Sequence, residues 1–164
     1  MSQARDKGAM AFNVKAVLTL LDLQLVVVVL TGLCIVCPLL VTGQPGTLGR
    51  AQGFLVFFAA IGTGFMFVEI SQIQRLSVFL GSILLILPMG LFMGAPFPIG
   101  MSVGMARFPG LGPWFWGVNG ATSVCASVLA VTIAIVWNIS TVFWLGVGCY
   151  VIALLVLARA GRPS

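Results

Sequence analysis

The segment VEISQIQR holds the densest group of side chains in this 164-residue chain that could do chemistry. Glu69, Gln72 and Arg75 are three residues apart, so on a helix they share one face, and Gln74 lies between them. Charged groups inside a membrane usually pair or face a cavity and mark a functional site. A helix end in the headgroup layer would use the same residues only for capping and pairing. Both interpretations stay open.

If Glu69 and Arg75 are paired inside a bundle, their effects on stability should be coupled. Removing one charge would leave the other uncompensated in a low-dielectric layer. We therefore expect the double variant Glu69→Gln with Arg75→Gln to lose less stability than the sum of the two single variants.

A second polar candidate is Asn119, in the run WFWGVNGA. A single amide in an apolar helix more often forms a hydrogen bond between helices than binds a ligand. We expect Asn119 to join two helices, with ligand binding as the alternative.

The rest of the chain offers little for catalysis. It has no His, and its only carboxylate side chains are Asp6, Asp22 and Glu69. Cys34 and Cys37 form a C-x-x-C, but no second pair and no His complete a zinc site. We interpret the four thiols as buried apolar groups. The sequence thus predicts no catalytic residue, no cofactor and no metal site.

The composition indicates that the solvent is lipid. Hydrophobic residues make up 60% of the chain and charged residues 7%, and the mean hydropathy is +1.19. A soluble domain has about 25% charged residues. The net charge of +5 comes from scattered Lys and Arg residues rather than a cluster, which argues against nucleic acid as a partner. The chain is predicted to be an all-α integral membrane protein, a bundle of four to five transmembrane helices.

The apolar runs divide the chain into a basic segment 1–15, one transmembrane domain 16–158 and a basic tail 159–164. The spans are predicted at 16–41, 51–70, 76–103, 114–137 and 141–158. The third contains Pro88, Pro96 and Pro98, so we expect a broken helix. Freed carbonyls need partners in lipid, which predicts that the GAPFPIG segment packs inside the protein.

The topology depends on whether the third stretch, 76–103, crosses the membrane fully. If it crosses fully, the eight Lys and Arg residues divide equally between the two sides. If it is re-entrant, Arg50 alone lies opposite all the others, in agreement with the positive-inside rule. We favour four full spans and a re-entrant or half-membrane element.

Two further expectations concern single residues. Asp22 lies near the start of the first span, so we place it in the interface beside a helix N-terminus, where the macrodipole favours it. A functional acid within the membrane is the alternative. Small residues recur at helical spacing and predict close helix packing, with a substrate path as the alternative; they are Gly62 with Gly64, Gly90 with Gly94, Gly100 with Gly104, Gly117 with Gly120, and Ser123 with Ser127.

Three ordered blocks carry a family resemblance: FFAAIGTGFMFVEISQIQRLSVFLG, LPMGLFMGAPFPIGM and WFWGVNGATSVCASVLAV. Over about 54–131 the chain resembles the C-terminal membrane region of bacterial integral membrane proteins fused to a spermidine-synthase-like domain. Unlike those proteins, it joins Gly81 directly to Ser82, without a further helix and a soluble insertion. It also lacks their Gly-rich nucleotide loop and the acidic cluster that would bind a polyamine.

The resemblance implies a non-catalytic module of the bacterial cytoplasmic membrane. Its expected partners are the lipid bilayer and either a separate soluble spermidine-synthase-like protein or other membrane helices. The alternative function is a small-solute transporter or channel component, in which Glu69, Gln72 and Arg75 line a polar path for a small solute such as a polyamine. Such a path would need several carboxylates near the midplane, so the small number of acids favours the module.

Overall fold

The computed structural model describes the backbone of residues 2–42, 45–76 and 83–160, and the side chains of 14–35, 49–75, 88 and 90–159. Every regular element within these ranges is helical, which confirms the all-α prediction. In chain order the helices are α1 (Ser2–Thr42), α2 (Pro45–Leu76), α3 (Ile83–Gly94), α4 (Pro96–Arg107), a short 3-10 helix (Pro109–Leu111), α5 (Gly112–Val136) and α6 (Ile139–Ala160).

Four helices are long and apolar enough to cross a membrane, as expected of a multi-pass membrane protein. Each exceeds the roughly 20 residues that a bilayer requires. The four apolar segments are Val14–Ile35, Gly49–Arg75, Pro109–Val136 and Ile139–Arg159.

Helix α2 is the centre of the bundle, and its packing partners are chiefly α5 and α6. It runs parallel to α5, because contacts between the two follow the same order along both helices. From one end to the other they join Phe58 to Phe115 and then Gly62 to Ser123, and beyond these Phe67 shares a buried apolar cluster with Ala126.

Helix α6 runs antiparallel to α2. The contacts between these two helices follow opposite orders along the chain. They join Gly64 to Cys149, Val68 to Gly146, and Arg75 to Ser140.

The proline-rich third stretch is broken at Ala95, between α3 and α4, and Pro96 occupies the first turn of α4. Helix α4 is antiparallel to α2, since Gly100 contacts Phe57 whereas Gly104 lies beside Phe54. Between the end of α2 and the start of α5, the chain therefore passes from one end of the bundle to the other.

Our preference for a re-entrant third stretch is wrong. Phe108 contacts the ring of Phe54, with ring centroids 5.9 Å apart, so Arg107 lies at the same end as Arg50. Arg75 lies at the opposite end, beside Ser140. The physical reason is packing: phenylalanine rings of α2 fit against glycines of α4, a complementarity that a count of charges does not contain.

A cluster of phenylalanines forms the core at the Arg50 end. Phe58 stacks on Phe115 with ring centroids 4.8 Å apart, and Phe97 meets Phe58 edge to face at 5.6 Å. Such aromatic pairs contribute about 0.5–1.5 kcal/mol each beyond the area they bury. A methyl group at Gly100 would overlap the ring of Phe57, so this glycine is needed for the close approach of α4.

Only some of the predicted small-residue pairs lie at helix interfaces. A methyl group on Gly62 would lie 2.5 Å from the Asn119 carbonyl oxygen of α5, and one on Gly64 would lie 3.1 Å from Cβ of Cys149 on α6. Gly62 therefore lies at the interface with α5, and Gly64 lies at the interface with α6. In contrast, a methyl group would meet nothing within 4 Å at any of four other glycines, Gly90, Gly94, Gly117 and Gly120.

Three smaller expectations also need correction. Helix α1 already begins at Ser2, so Asp22 is not beside a helix N-terminus and the macrodipole, which acts within about one turn, does not explain it. Cys34 is exposed rather than buried. In GAPFPIG, Gly100 is buried but Pro98 and Ile99 are exposed, so only part of this segment packs inside.

Candidate functional site

Arg75, in the last turn of α2, joins the end of that helix to the start of α6. Its guanidinium donates a hydrogen bond of 2.8 Å from Nη2 to Oγ of Ser140. The same group lies 5.3 Å from the ring centroid of Phe143, within the range of a cation–π contact. Although Arg75 is exposed, it has two contacts on α6.

Asn138 caps the helix on which these contacts lie. Its side-chain oxygen Oδ1 accepts hydrogen bonds from the Thr141 backbone N–H at 2.8 Å and from the Thr141 hydroxyl at 3.0 Å. An Asn at this position satisfies a backbone donor that the first turn leaves unpaired. We call the group formed by Arg75, Asn138, Ser140, Thr141 and Phe143 the α2–α6 corner.

The other candidate residues of VEISQIQR, which are Glu69, Gln72 and Gln74, do not belong to the α2–α6 corner. Glu69 and Gln72 are half-buried on α2, and Gln74 is exposed but has an interaction of its own. Among the described side chains, no ion pair joins Glu69 to Arg75.

Tyr150 contributes a contact that the sequence analysis missed. Its hydroxyl donates a hydrogen bond of 3.3 Å to the carbonyl oxygen of Met93, in the last turn of α3 before the break at Ala95. A broken helix in lipid needs such internal partners. The available signal was that Tyr150 is the only tyrosine of the chain and lies in an apolar run.

Asn119 lies on α5 against α2, at the level of Gly62. Its backbone carbonyl accepts a hydrogen bond of 2.8 Å from the Ser123 hydroxyl, whose oxygen is also 3.2 Å from the carbonyl of Gly62. The Asn119 side-chain oxygen is buried without a hydrogen-bond partner among the described residues. The polar contact between α2 and α5 at this level is therefore made by Ser123, not by the amide of Asn119.

Asn119 and the α2–α6 corner are separate. Gly62, which marks the level of Asn119, is about 20 Å from Arg75 along α2 at 1.5 Å per residue. Within the described side chains, no group of three or more His, Cys, Asp or Glu could hold a metal ion. The polar residues that do meet, at the corner and at the helix break, join helices to one another.

Comparison with known proteins adds no relative: no family model, no curated protein and no solved structure matches the chain.

Proposed function

We propose that the chain is a non-catalytic module of the bacterial cytoplasmic membrane that anchors or pairs with a separate soluble spermidine-synthase-like protein. The observation that best supports this proposal is the pair of contacts that the Arg75 side chain makes with α6. Its guanidinium is directed to Ser140 and Phe143 and so connects two helices. A solute path would instead need this charge to be free for a passing ligand.

The sequence gives further support. In the family that the three blocks resemble, a synthase-like domain accompanies such membrane helices. The chain itself has no His and only three acidic residues with which to build a catalyst. Large apolar side chains are exposed on the outside of the helices, among them Leu91, Trp144 and Leu154, which suits contact with lipid.

A membrane-recruitment assay tests the proposal. The chain is expressed with a soluble bacterial spermidine-synthase-like protein as the probe, and the probe is measured in the membrane and soluble fractions. We expect the chain to move the probe into the membrane fraction, and an unrelated soluble methyltransferase-type protein to stay soluble. A probe that stays soluble, or a control protein that is recruited equally, contradicts the proposal.

A second measurement tests the absence of catalysis. Calorimetry of the purified chain with S-adenosylmethionine should show no saturable binding, because the chain lacks the loop and acidic cluster of the synthase-like domain. Saturable binding would show that the chain carries a cofactor site and contradict this part of the proposal.

The competing function is transport of a polyamine along a path that Glu69 lines. Vesicles containing the purified chain should take up labelled spermidine no faster than vesicles without protein. Uptake that is saturable and is lost in Glu69→Gln would replace the module with a polyamine transporter. Gln74→Glu, a change at an exposed residue five positions further along the same helix, serves as the control.

A further inference from the structure

The backbone is weakly hydrogen-bonded at the break between α3 and α4. Pro96 and Pro98 lack the N–H group that each would otherwise direct to the carbonyl four residues earlier. Two bonds do cross this point, but they are long: 3.2 Å from the Ala95 nitrogen to the Leu91 carbonyl oxygen, and 3.4 Å from the Ile99 nitrogen to the Ala95 carbonyl oxygen. Most such bonds measure about 2.9–3.0 Å. The backbone at Ala95 therefore resists bending less than a continuous helix does.

Helix α4, on one side of the break, is firmly packed. Phe97 meets the ring of Trp116 edge to face, with ring centroids 4.6 Å apart, and it also packs on Phe58 of α2. One turn further along, Gly100 is buried against the ring of Phe57. These contacts with α2 and α5 fix α4 in the bundle.

Helix α3, on the other side of the break, is packed far less closely in the part whose side chains the structure describes. Leu91 and Phe92 are 74% and 78% exposed, and Pro88 is exposed as well. Met93 alone among the described residues of α3 is half-buried. The last turn of α3 thus depends on the contacts of one residue.

The contact that holds this turn comes from α6. The Tyr150 hydroxyl donates its hydrogen bond to the Met93 carbonyl, two residues before Ala95. Tyr150 itself is held against α2, because a methyl group on Gly64 would lie only 3.3 Å from carbon Cδ2 of its ring. A packed part of the bundle therefore holds the end of α3 through one hydroxyl group.

We propose that α3 is a hinged half-helix that swings about Ala95, and that the hydrogen bond from Tyr150 to Met93 holds it in the closed position seen in the structure. Hinges in proteins are a few residues at the ends of elements that absorb a change in backbone angles, which is the situation of Ala95. This inference goes beyond the proposed function and does not rest on it, since it concerns a movement within the chain.

The position of α3 along the bundle shows which part would move. Helix α4 is antiparallel to α2 and Gly100 lies at Phe57, so the start of α3, 17 residues before Gly100, lies at about the depth of Gln74. The hinge therefore moves the half of the third stretch that shares its depth with Glu69 and Gln72. It leaves the aromatic core at the Arg50 end in place.

Distance measurements between two spin labels in lipid vesicles test the hinge. One label is placed at position 84, near the start of α3, and the other at the exposed Val136 of α5, in a chain without its native cysteines. Position 84 is about 16 Å from Ala95 along the helix, so a swing of about 20° moves it by about 6 Å. We expect one main distance in the otherwise unchanged chain, from the closed position.

Tyr150→Phe removes the hydroxyl and keeps the ring. We expect it to raise the ratio of a second distance to the main one by about fivefold, the change that corresponds to the loss of one net hydrogen bond. Ser123→Ala, the matched control, removes a hydroxyl that contacts the carbonyl of Gly62 away from the hinge, and the ratio should not change. Adding Pro96→Ala and Pro98→Ala to Tyr150→Phe restores two N–H donors at the break and should lower the ratio again.

Three outcomes would overturn the proposal. A ratio that Tyr150→Phe leaves unchanged would show that this hydroxyl does not hold α3. An equal rise in Ser123→Ala would show a general loosening of the bundle rather than the release of one helix. A raised ratio that the two proline substitutions do not lower would place the movement elsewhere than at Ala95.

Discussion

At the residue scale, Arg75 shows how a side chain in a candidate site can have a structural task. Helical spacing predicted that Glu69, Gln72 and Arg75 share a face, but spacing contains no information on partners. Ser140 lies 65 positions further along the chain, and only the antiparallel packing of α6 on α2 brings its hydroxyl to the guanidinium. The contact could not be predicted from the local sequence.

The first prediction concerns the contact between Arg75 and Ser140. A net hydrogen bond contributes about 0.5–1.5 kcal/mol, and an exposed cation–π contact about 0.5–1 kcal/mol. We expect Arg75→Gln to destabilise the bundle by about 1–2 kcal/mol. In a double-mutant cycle with Ser140→Ala, the coupling energy should be about 0.5–1.5 kcal/mol. Thermal unfolding in one detergent measures all three variants.

Glu69 provides the control for this cycle. Because no ion pair joins it to Arg75 among the described side chains, Glu69→Gln and Arg75→Gln should be additive within about 0.5 kcal/mol. This revises the coupling expected from the sequence alone. Strong coupling to Glu69 together with none to Ser140 would mean that the Arg75 side chain is directed elsewhere.

The second prediction concerns the cap of α6. Asn138→Ala removes the acceptor for the Thr141 backbone N–H and should cost about 1 kcal/mol, within the range of about 0.5–2 measured for such caps. Asn138→Asp keeps an acceptor and should unfold close to the wild-type temperature. If Ala and Asp are equally tolerated in thermal unfolding, Asn138 does not cap the helix.

At the element scale, the helices themselves were predictable and their contacts were not. Long apolar runs predicted the positions of α2, α5 and α6 because a chain in lipid must satisfy its backbone within helices. The prolines predicted a broken third helix, and α3 and α4 are separated at Ala95. Which glycines lie at interfaces depends on the rotation of each helix about its axis, and a G-x-x-x-G spacing does not determine that rotation.

The third prediction compares two glycines, one in α2 and one in α5. A methyl group on Gly62 would lie 2.5 Å from the Asn119 carbonyl oxygen and 2.6 Å from Oγ1 of Thr122, so Gly62→Ala forces α2 and α5 apart. Overpacking of this kind costs about 1–3 kcal/mol. At Gly120 a methyl group meets nothing within 4 Å, and Ala is the better helix former by about 1 kcal/mol.

Thermal unfolding of the two variants in the same detergent checks this comparison. Gly62→Ala should unfold at a lower temperature than the wild type, whereas Gly120→Ala should unfold at the same or a higher temperature. The opposite order would mean that Gly62 is not at the α2–α5 interface.

At the scale of the whole molecule, the positive-inside rule and the packing disagree, and the packing decides this structure. The rule favoured Arg75 and Arg107 on one side, which requires a re-entrant third stretch. The contacts of Gly100 and Gly104 with phenylalanines of α2 and α5 place α4 antiparallel to α2 and bring Arg107 to the other end. The positive-inside rule considers only the few charged residues at the ends of the helices. The aromatic core, in contrast, involves many contacts along α2, α4 and α5.

Single-cysteine labelling shows which helix ends lie on the same side of the membrane. Each test position, Gly49, Gln74, Gly110 or Asn138, is changed to Cys in a chain without its native cysteines and treated with a membrane-impermeant maleimide in sealed vesicles. We expect positions 49 and 110 to be labelled from one side of the membrane and positions 74 and 138 from the other. Labelling of 49 together with 138, and of 74 together with 110, would show instead that the third stretch is re-entrant and that α4 does not pack antiparallel to α2.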